Sequence, residues 1–562
     1  MTNSIEEIGD AACIFAIGTN TTNQHPVIAL EIKKAVRKGG KLIVADPRRI
    51  DLCDIADIWL QHIPGTDVAL MMGMMKVIVD EGLQDQEFID RRCENFDEFK
   101  ESLQEFELNK VSQITGVPAE DIAEAARMYA TNSPASLLYC MGITQHTHGT
   151  DNVLGTANMA MLTGNIGKPS TGVNPLRGQN NVQGACDLGA LPNVYTAYQQ
   201  VADEDARKKF EKAWGVELPS EPGKVLTDMF HEMEEGNIKA VYLMGENPLL
   251  SDPDTRHIKA AIEKLDFFVV QDIFLTETAQ MADVVLPSAS FAEKEGTFSN
   301  TERRVQRVRK AFDPPGVALD DWEIICEIAG RMGGKGFDFK NAEAIFKEIA
   351  KVTPSYAGIS YERLDNEGGI QWPCPNEDHA GTKFLHGQSF TRGKGRFAPL
   401  TYRPSDELPD SEYPLILTTG RSPYHYHTAT MTRKVAGLNV LGPEEMVWIN
   451  PVDAQKMGIA ANDWVQVSSR RGTVPVRAKV TDDTQPGVVF MTFHYAEACA
   501  NVLTNPALDP VCKTPEFKVC AVKVEKQSEP VAQEAEAVIE EAAPAEAEPV
   551  TDDEPEAAAT AT

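Results

Sequence analysis

The chain has no run approaching the ~18 consecutive apolar residues that cross a bilayer, so direct membrane insertion is not expected. After Met1 the segment TNSIEEIGD lacks the basic start and apolar stretch of a signal peptide. There is no excess of basic charge either. The formal net charge is −31, which argues against nucleic acid or an anionic membrane surface as a partner. The ten cysteines never form C-x-x-C, so they offer no iron–sulfur ligand set among these residues and read as structural thiols in a reducing compartment. No loop carries the full G-x-G-x-x-G of a dinucleotide-binding turn.

What is present is ordinary globular sequence, long enough at 562 residues for three or four domains. The acidity is partly local. From Gln527 onward there are eleven acidic residues and no basic ones, in a segment built of Ala, Glu and Pro. Such a segment cannot bury enough surface to offset chain entropy. We expect residues 526–562 to be a disordered acidic tail, either solubilising or a docking arm.

Two stretches share one design. Cys13–Ile17 is an apolar strand breaking at Gly18-Thr19-Asn20. Pro26 suits the first turn of a helix with Ile28, Ile32 and Val36 on one face, and Gly39-Gly40 ends it. A second strand then closes on Asp46. Later, VYLMGENPLL runs a strand into Gly245-Glu246-Asn247-Pro248, a helix follows through Ala261 and Leu265, and FFVVQDIF closes on Asp272. Asp46 follows Gly18 by 28 positions and Asp272 follows Gly245 by 27. In parallel α/β sheets ligands sit beyond the carboxyl ends of strands, where an acid suits a ribose or a guanine edge. Each copy alone also fits an ordinary crossover with turn glycines; together they point to a ligand with two nucleotides, or to two dinucleotides.

Two further loops stand out. Gly65-Thr66-Asp67 precedes a helix-like apolar run, where Asp67 is either a plain N-cap or phosphate-proximal. YCMGITQHTHGT ends a strand near Gly142 and presents Thr144 and Gln145. The pairs His146-x-His148 and His425-x-His427 each put two imidazoles on one face of a strand, but no third ligand is apparent for an independent metal site. Near the C-terminus, WVQVSSRRGTVPVRAKV alternates apolar and polar residues, with Val474, Val476, Ala478 and Val480 on one face and a plausible hairpin turn at Arg471-Gly472. This reads as a small β-barrel.

The most distinctive segment is LTGNIGKPSTGVNPLRGQNNVQGACDLGALP, a long loop rich in Gly, Pro, Asn and Gln that holds Arg177 between Leu176 and Gly178. This loop closely resembles its counterpart in formate dehydrogenases of the molybdopterin oxidoreductase superfamily. The resemblance continues through MGENP, VVQDIFLTETAQMADVVLPSASFAEKEGTFSNTERRVQ, TTGRSPYHYHTATMTRKV and CKTPEFKVCAVKV, and covers residues 1–525 in order. It implies an α/β fold with a C-terminal barrel, divided as a first cofactor-binding unit at 1–178, a second at 179–335, a connecting segment at 336–408 and a dinucleotide-binding barrel at 409–525.

It also implies two molybdopterin guanine dinucleotides around one Mo or W atom. Asn20, Asn23, Asp46, Arg48, Asp67, Gly142 and Gln145 would serve one of them. Gly245, Glu246, Asn247, Asp272 and Thr276 would serve the other, with Arg421, His425, Asn501 and Lys518 contributed by the C-terminal part. Arg177 matches the arginine that holds formate, and Gln179 lies beside it on the same loop. Arg303-Arg304 would be a surface pair, or near the cofactors or a cluster domain. In the family, the metal ligand (selenocysteine or cysteine followed by His) and a 4Fe-4S segment precede the region matching Met1. The expectation is a UGA codon read as a stop, with a true truncation or a split two-chain enzyme as competing accounts; an export signal in the preceding part stays open beside a cytoplasmic location. Expected partners are formate and CO2, the missing N-terminal portion, and an iron–sulfur or flavin electron-transfer subunit. A nitrate-reductase-like enzyme and a non-catalytic scaffold subunit are the alternatives.

Overall fold

A computed structural model of the chain describes residues 1–529; the expected tail lies outside the described residues apart from positions 526–529. Cys13–Ile17 is an apolar run with no polar alternation, which calls for burial on both faces, and both it and Ala135–Tyr139, whose one polar residue is Ser136, are buried throughout. They form the centre of a five-stranded parallel sheet in the order Ile58–Leu60, Lys41–Ala45, Cys13–Ile17, Ala135–Tyr139, Gly172–Pro175. Helix Pro26–Arg37 lays Ile28, Ala29, Ile32 and Ala35 against one side. Helix Asp67–Asp80, buried nearly throughout, covers the other together with helix Ala119–Thr131. Each fully buried aliphatic side chain contributes roughly 1.5–3 kcal/mol to this doubly covered core.

The second unit is smaller. Ala240–Met244, Phe267–Asp272 and Val284–Pro287 make a three-stranded parallel sheet. Helices Leu226–Glu234 and Thr255–Ile262 cover one face through Phe230, Met233, Ile258 and Ala261. On the same sheet Tyr242, Met244 and Phe267 are 45%, 51% and 47% exposed.

The stretch expected as a connector is integrated into the fold. Phe397 and Leu400 enter the core of the first unit, and Ile370–Gln371 completes an antiparallel sheet with Gly296–Ser299 and Arg304–Val308. Six strands from Leu415 to Lys526 close a barrel around Val447, Val465, Val467, Val476, Ala478 and Val489. Its hairpin turns where Ser469 N donates to Gly472 O (2.9 Å). The last strand runs to Lys526, one residue past the expected end of the barrel.

All ten cysteines are free thiols, and no helix among the described residues is long and apolar enough to cross a membrane.

Candidate functional site

The strand order of the first sheet reverses between Cys13–Ile17 and Ala135–Tyr139, and a crevice opens there beyond the carboxyl ends. Gly18, at φ +57°, turns the chain away, and its N–H donates to Ala45 O (2.9 Å). Gly142 N donates to Gly18 O (3.0 Å), so the two loops touch backbone to backbone. A Cβ on Gly18 would meet the Gly142 carbonyl carbon at 2.9 Å. The strand expected to reach Gly142 stops at Tyr139, and Met141–Thr144 forms a single helical turn.

The resulting cleft, about 880 Å³ with open solvent included, is lined by Asn20, Asp46, Arg48, Asp67, Gly142 and Gln145 from the first unit and by Arg421 and Lys518 from the barrel. His62, His146, Thr418 and Phe493 also line it. Asp67 is not an N-cap: Thr66 takes that position, and the Asp67 carboxylate is buried with Oδ1 3.0 Å from His62 Nε2. Its Oδ2 has no hydrogen-bond partner and lies 3.7 Å from His146 Nε2.

Electrostatically the cleft is unbalanced toward positive charge. Arg48 stacks on the Phe490 ring at 3.7 Å. Burial lowers the pKa of Arg48 and of Arg421. Lys518 Nζ donates to Thr419 O (2.7 Å), and burial, with Arg421 and Arg48 adding to it, pulls its pKa down to about 7. Facing these three, Asp46 is itself pushed up by burial and held by Arg48 N at 2.9 Å.

The second unit repeats the local geometry. Gly245 (φ +65°) donates to Gln271 O at 2.9 Å, and Asp272 Oδ1 accepts from Phe274 N at 3.1 Å, as Asp46 does from Arg48 N. Gln179, Gly245, Glu246, Asn247, Asp272 and Thr276 line its cleft of about 1230 Å³ with open solvent included, together with Ser288, Lys294, Tyr426 and His427. Here the charge is acidic, because Lys294 is paired with Asp321. Asn247 is tied into the fold, its Oδ1 accepting from Thr278 Oγ1 (2.7 Å).

The arginine loop runs between the two clefts. A Cβ on Gly178 would lie 3.0 Å from the guanidinium of Arg421 in the first cleft, while Gln179 borders the second. Arg177 is fixed by its backbone. Its N–H donates to Thr301 Oγ1 (3.0 Å), and His25, whose pKa burial lowers, gives its Nε2 hydrogen to Arg177 O (2.7 Å). The Arg177 Nε is buried without a partner.

Four expected residues, Asn23, Arg177, His425 and Asn501, line neither cleft. Both ring nitrogens of His425 are engaged, Nε2 with Gly442 O (2.7 Å) and Nδ1 with Thr432 Oγ1 (3.2 Å). Asn501 donates to Leu250 O (2.6 Å), fastening the barrel to the second unit. His146 and His148 stack with ring centres 5.2 Å apart and are buried. Arg303 is no surface residue: its guanidinium is buried and donates to the carbonyls of Met1, Thr2, Thr382 and Lys383, whereas Arg304 pairs with Glu302. Ser288 and the barrel's Thr418 join the clefts without being expected there, although Ser288 follows a parallel strand's carboxyl end, where the ligand rule places such residues.

The profile of the family described as molybdopterin oxidoreductase matches residues 1–331, and that of the molybdopterin dinucleotide binding domain matches residues 415–521. The chain belongs to the molybdopterin oxidoreductase family. It is 54% identical to the F420-dependent formate dehydrogenase subunit alpha of Methanocaldococcus jannaschii over 94% of this chain and 78% of that one. Identity to the assimilatory nitrate reductase catalytic subunit of Bacillus subtilis is 39%, over 93% of this chain and 76% of that one. The acetylene hydratase of Pelobacter acetylenicus shares the fold, with a TM-score of 0.73 at 23% identity over 94% of this chain and 81% of that structure.

The first cleft fits the family's cofactor on its own chemistry. Arg48, Arg421 and Lys518 outnumber the two acids of the cleft, Asp46 and Asp67, and the excess calls for an anion such as a pyrophosphate. The orphaned Asn20 Oδ1 and Asp67 Oδ2 await donors, which a pterin or a guanine supplies. The Gly18–Gly142 contact leaves backbone, not side chain, to face the ligand.

Proposed function

We propose that this chain is the catalytic subunit of a formate dehydrogenase. It would hold two molybdopterin guanine dinucleotides, one in each cleft, around Mo or W. The observation that carries this reading is Arg177, a cation with an unpartnered, buried Nε held on a loop between the two clefts. When bound, the cofactor pair supplies the two-electron acceptor for formate oxidation, or the donor for CO2 reduction.

The residues of the chain would do the rest. Formate is an anion entering a protein of net charge −31, so capture needs a local cation. A guanidinium fork binds a carboxylate bidentately and fixes its direction. Orientation is worth more to the rate than affinity, because only interactions stronger in the transition state accelerate the step. CO2 carries no charge, so the product loses that attraction and leaves. The backbone clamps from His25 and Thr301 position Arg177, and Gln179 on the same loop would face the second dinucleotide. Asp46 and Asp272 would accept from ribose or guanine, and Arg48, Arg421 and Lys518 would hold phosphates.

The likeness to F420-dependent alpha subunits supports F420 as the acceptor, reached through an iron–sulfur or flavin partner subunit. A nitrate-reductase-like role has weaker support, from the lower identity to that branch.

The test is Arg177→Ala in the cofactor-loaded holoenzyme. Formate-dependent dye reduction is expected to fall by roughly 100-fold or more, with pterin and metal content unchanged. Loss of the pterin along with the activity would make Arg177 structural and overturn its assignment as the formate-binding residue.

A further inference from the structure

Outside the linings of both clefts, the helix pair covering the second sheet carries an unassigned cluster of ligands. Helix Leu226–Glu234 sends Phe230 and Met233 into the core. Positions 231 and 234, three residues apart, therefore share a different face. The neighbouring helix Thr255–Ile262 buries Ile258, Ala261 and Ile262, and turns His257 toward the first helix. The His231 and His257 rings lie with centroids 4.9 Å apart, and His257 Nδ1 is 3.5 Å from Glu234 Oε2. One ligand atom from each of the three residues falls within 4.8 Å of the other two.

We propose that His231, Glu234 and His257 form a binding site for a divalent transition metal of the zinc class. Three observations favour it. The 3.5 Å separation between His257 and Glu234 exceeds a hydrogen bond. It is close to the ~3.4 Å that separates two atoms each bound ~2.0–2.1 Å from one tetrahedral metal. Two imidazoles and a carboxylate suit Zn2+, Co2+ or Ni2+, whereas Mg2+ and Ca2+ prefer all-oxygen shells. The first helix also carries Asp228, with Glu235 just beyond its end and Glu232 already paired with Lys224, a local excess of acid that favours a cation. His231 and Glu234 are exposed and His257 only partly buried, so the remaining coordination position faces water.

The site would clip together the two helices supporting the Gly245–Asn247 loop. A metal bound only by the folded form raises stability by mass action.

The experiment uses the full chain carrying Cys512→Ser, which removes the exposed thiol as a competing ligand. The protein is stripped with a chelator and titrated with zinc chloride against a metallochromic indicator, with thermal unfolding recorded in parallel. The expected result is one zinc per chain beyond the uptake of the His231→Ala/His257→Ala double variant, with a rise in Tm of several degrees. His231→Ala alone, at an exposed position, is expected to keep the zinc-free Tm and lose affinity by about tenfold or more. Equal zinc uptake by the parent and the double variant overturns the site. So does uptake that leaves Tm unmoved in the parent, which marks an adventitious ion only.

Discussion

The two α/β units of this chain are built from the same local pattern, yet they stand in different surroundings. In both, a glycine of positive φ ends a strand and donates to the residue before the next strand's closing acid, and that acid accepts from the amide two positions on. In the first unit the strands are covered on both sides, the glycine loop presses on a second loop, and Arg48 with the barrel's Arg421 and Lys518 lines the cleft. In the second the sheet has three strands, Tyr242 and Met244 stand exposed on it, nothing lies near Gly245, and the cleft carries acid. A repeated motif thus sets where a ligand loop sits, while the neighbours set what that loop tolerates and which charge it offers.

The sharpest way to break this comparison is Gly142→Ala. The new methyl would collide with the Gly18 carbonyl, and both loops are backbone that has no room to yield. We expect a loss of about 3 kcal/mol in chemical denaturation; a near-neutral result would show the two loops separating freely.

Next in size is Lys518→Met, which removes one of the three cations of the first cleft. Cofactor retention is expected to weaken by about 2 kcal/mol, the worth of a charge-assisted hydrogen bond, as read from pterin content after dialysis. In the cofactor-free chain the sign reverses. Lys518 has a folded pKa of about 7, below its ordinary value. Its burial cost is therefore fully present below about pH 7 and fades as pH rises toward ~10.4. The Met variant should be the more stable chain at pH 6, with an advantage that shrinks by pH 9 in thermal unfolding. A pH-independent difference would mean that Lys518 is not buried as a strained cation.

The smallest effect is expected for Gly245→Ala, the counterpart of Gly18. With open space around it, only the left-handed backbone conformation is penalised, at about 1 kcal/mol. A cost equal to that of Gly142→Ala would erase the distinction between the two units.

Much of this is legible along the chain. Unbroken apolar strands, Pro26 at a helix start, glycines after strands and acids at strand ends are local signals, and they suffice to locate the loops of both clefts and the alternating barrel strands. Arg421 and Lys518 come only from the family resemblance, since nothing in their own neighbourhood marks a residue hundreds of positions away as part of the same cleft. For Asp67 the residues alone favour a plain N-cap over a ligand-facing acid, and the choice depends on His62 and on which residue occupies the position before the helix.

Arg303 shows the same limit from the other side. An arginine pair reads as surface, and only the carbonyls of Met1, Thr2, Thr382 and Lys383 converging on one guanidinium make it a buried clasp. His231, Glu234 and His257 come together only when two helices pack. The sequence by itself determined elements and turns, because these follow from short-range backbone sterics and side-chain periodicity, and the kind of ligand came from the resemblance to a known family. Tertiary structure alone decided which distant groups meet, which faces stay bare and which charges go uncompensated, because those depend on burial and on distances between residues far apart in the chain.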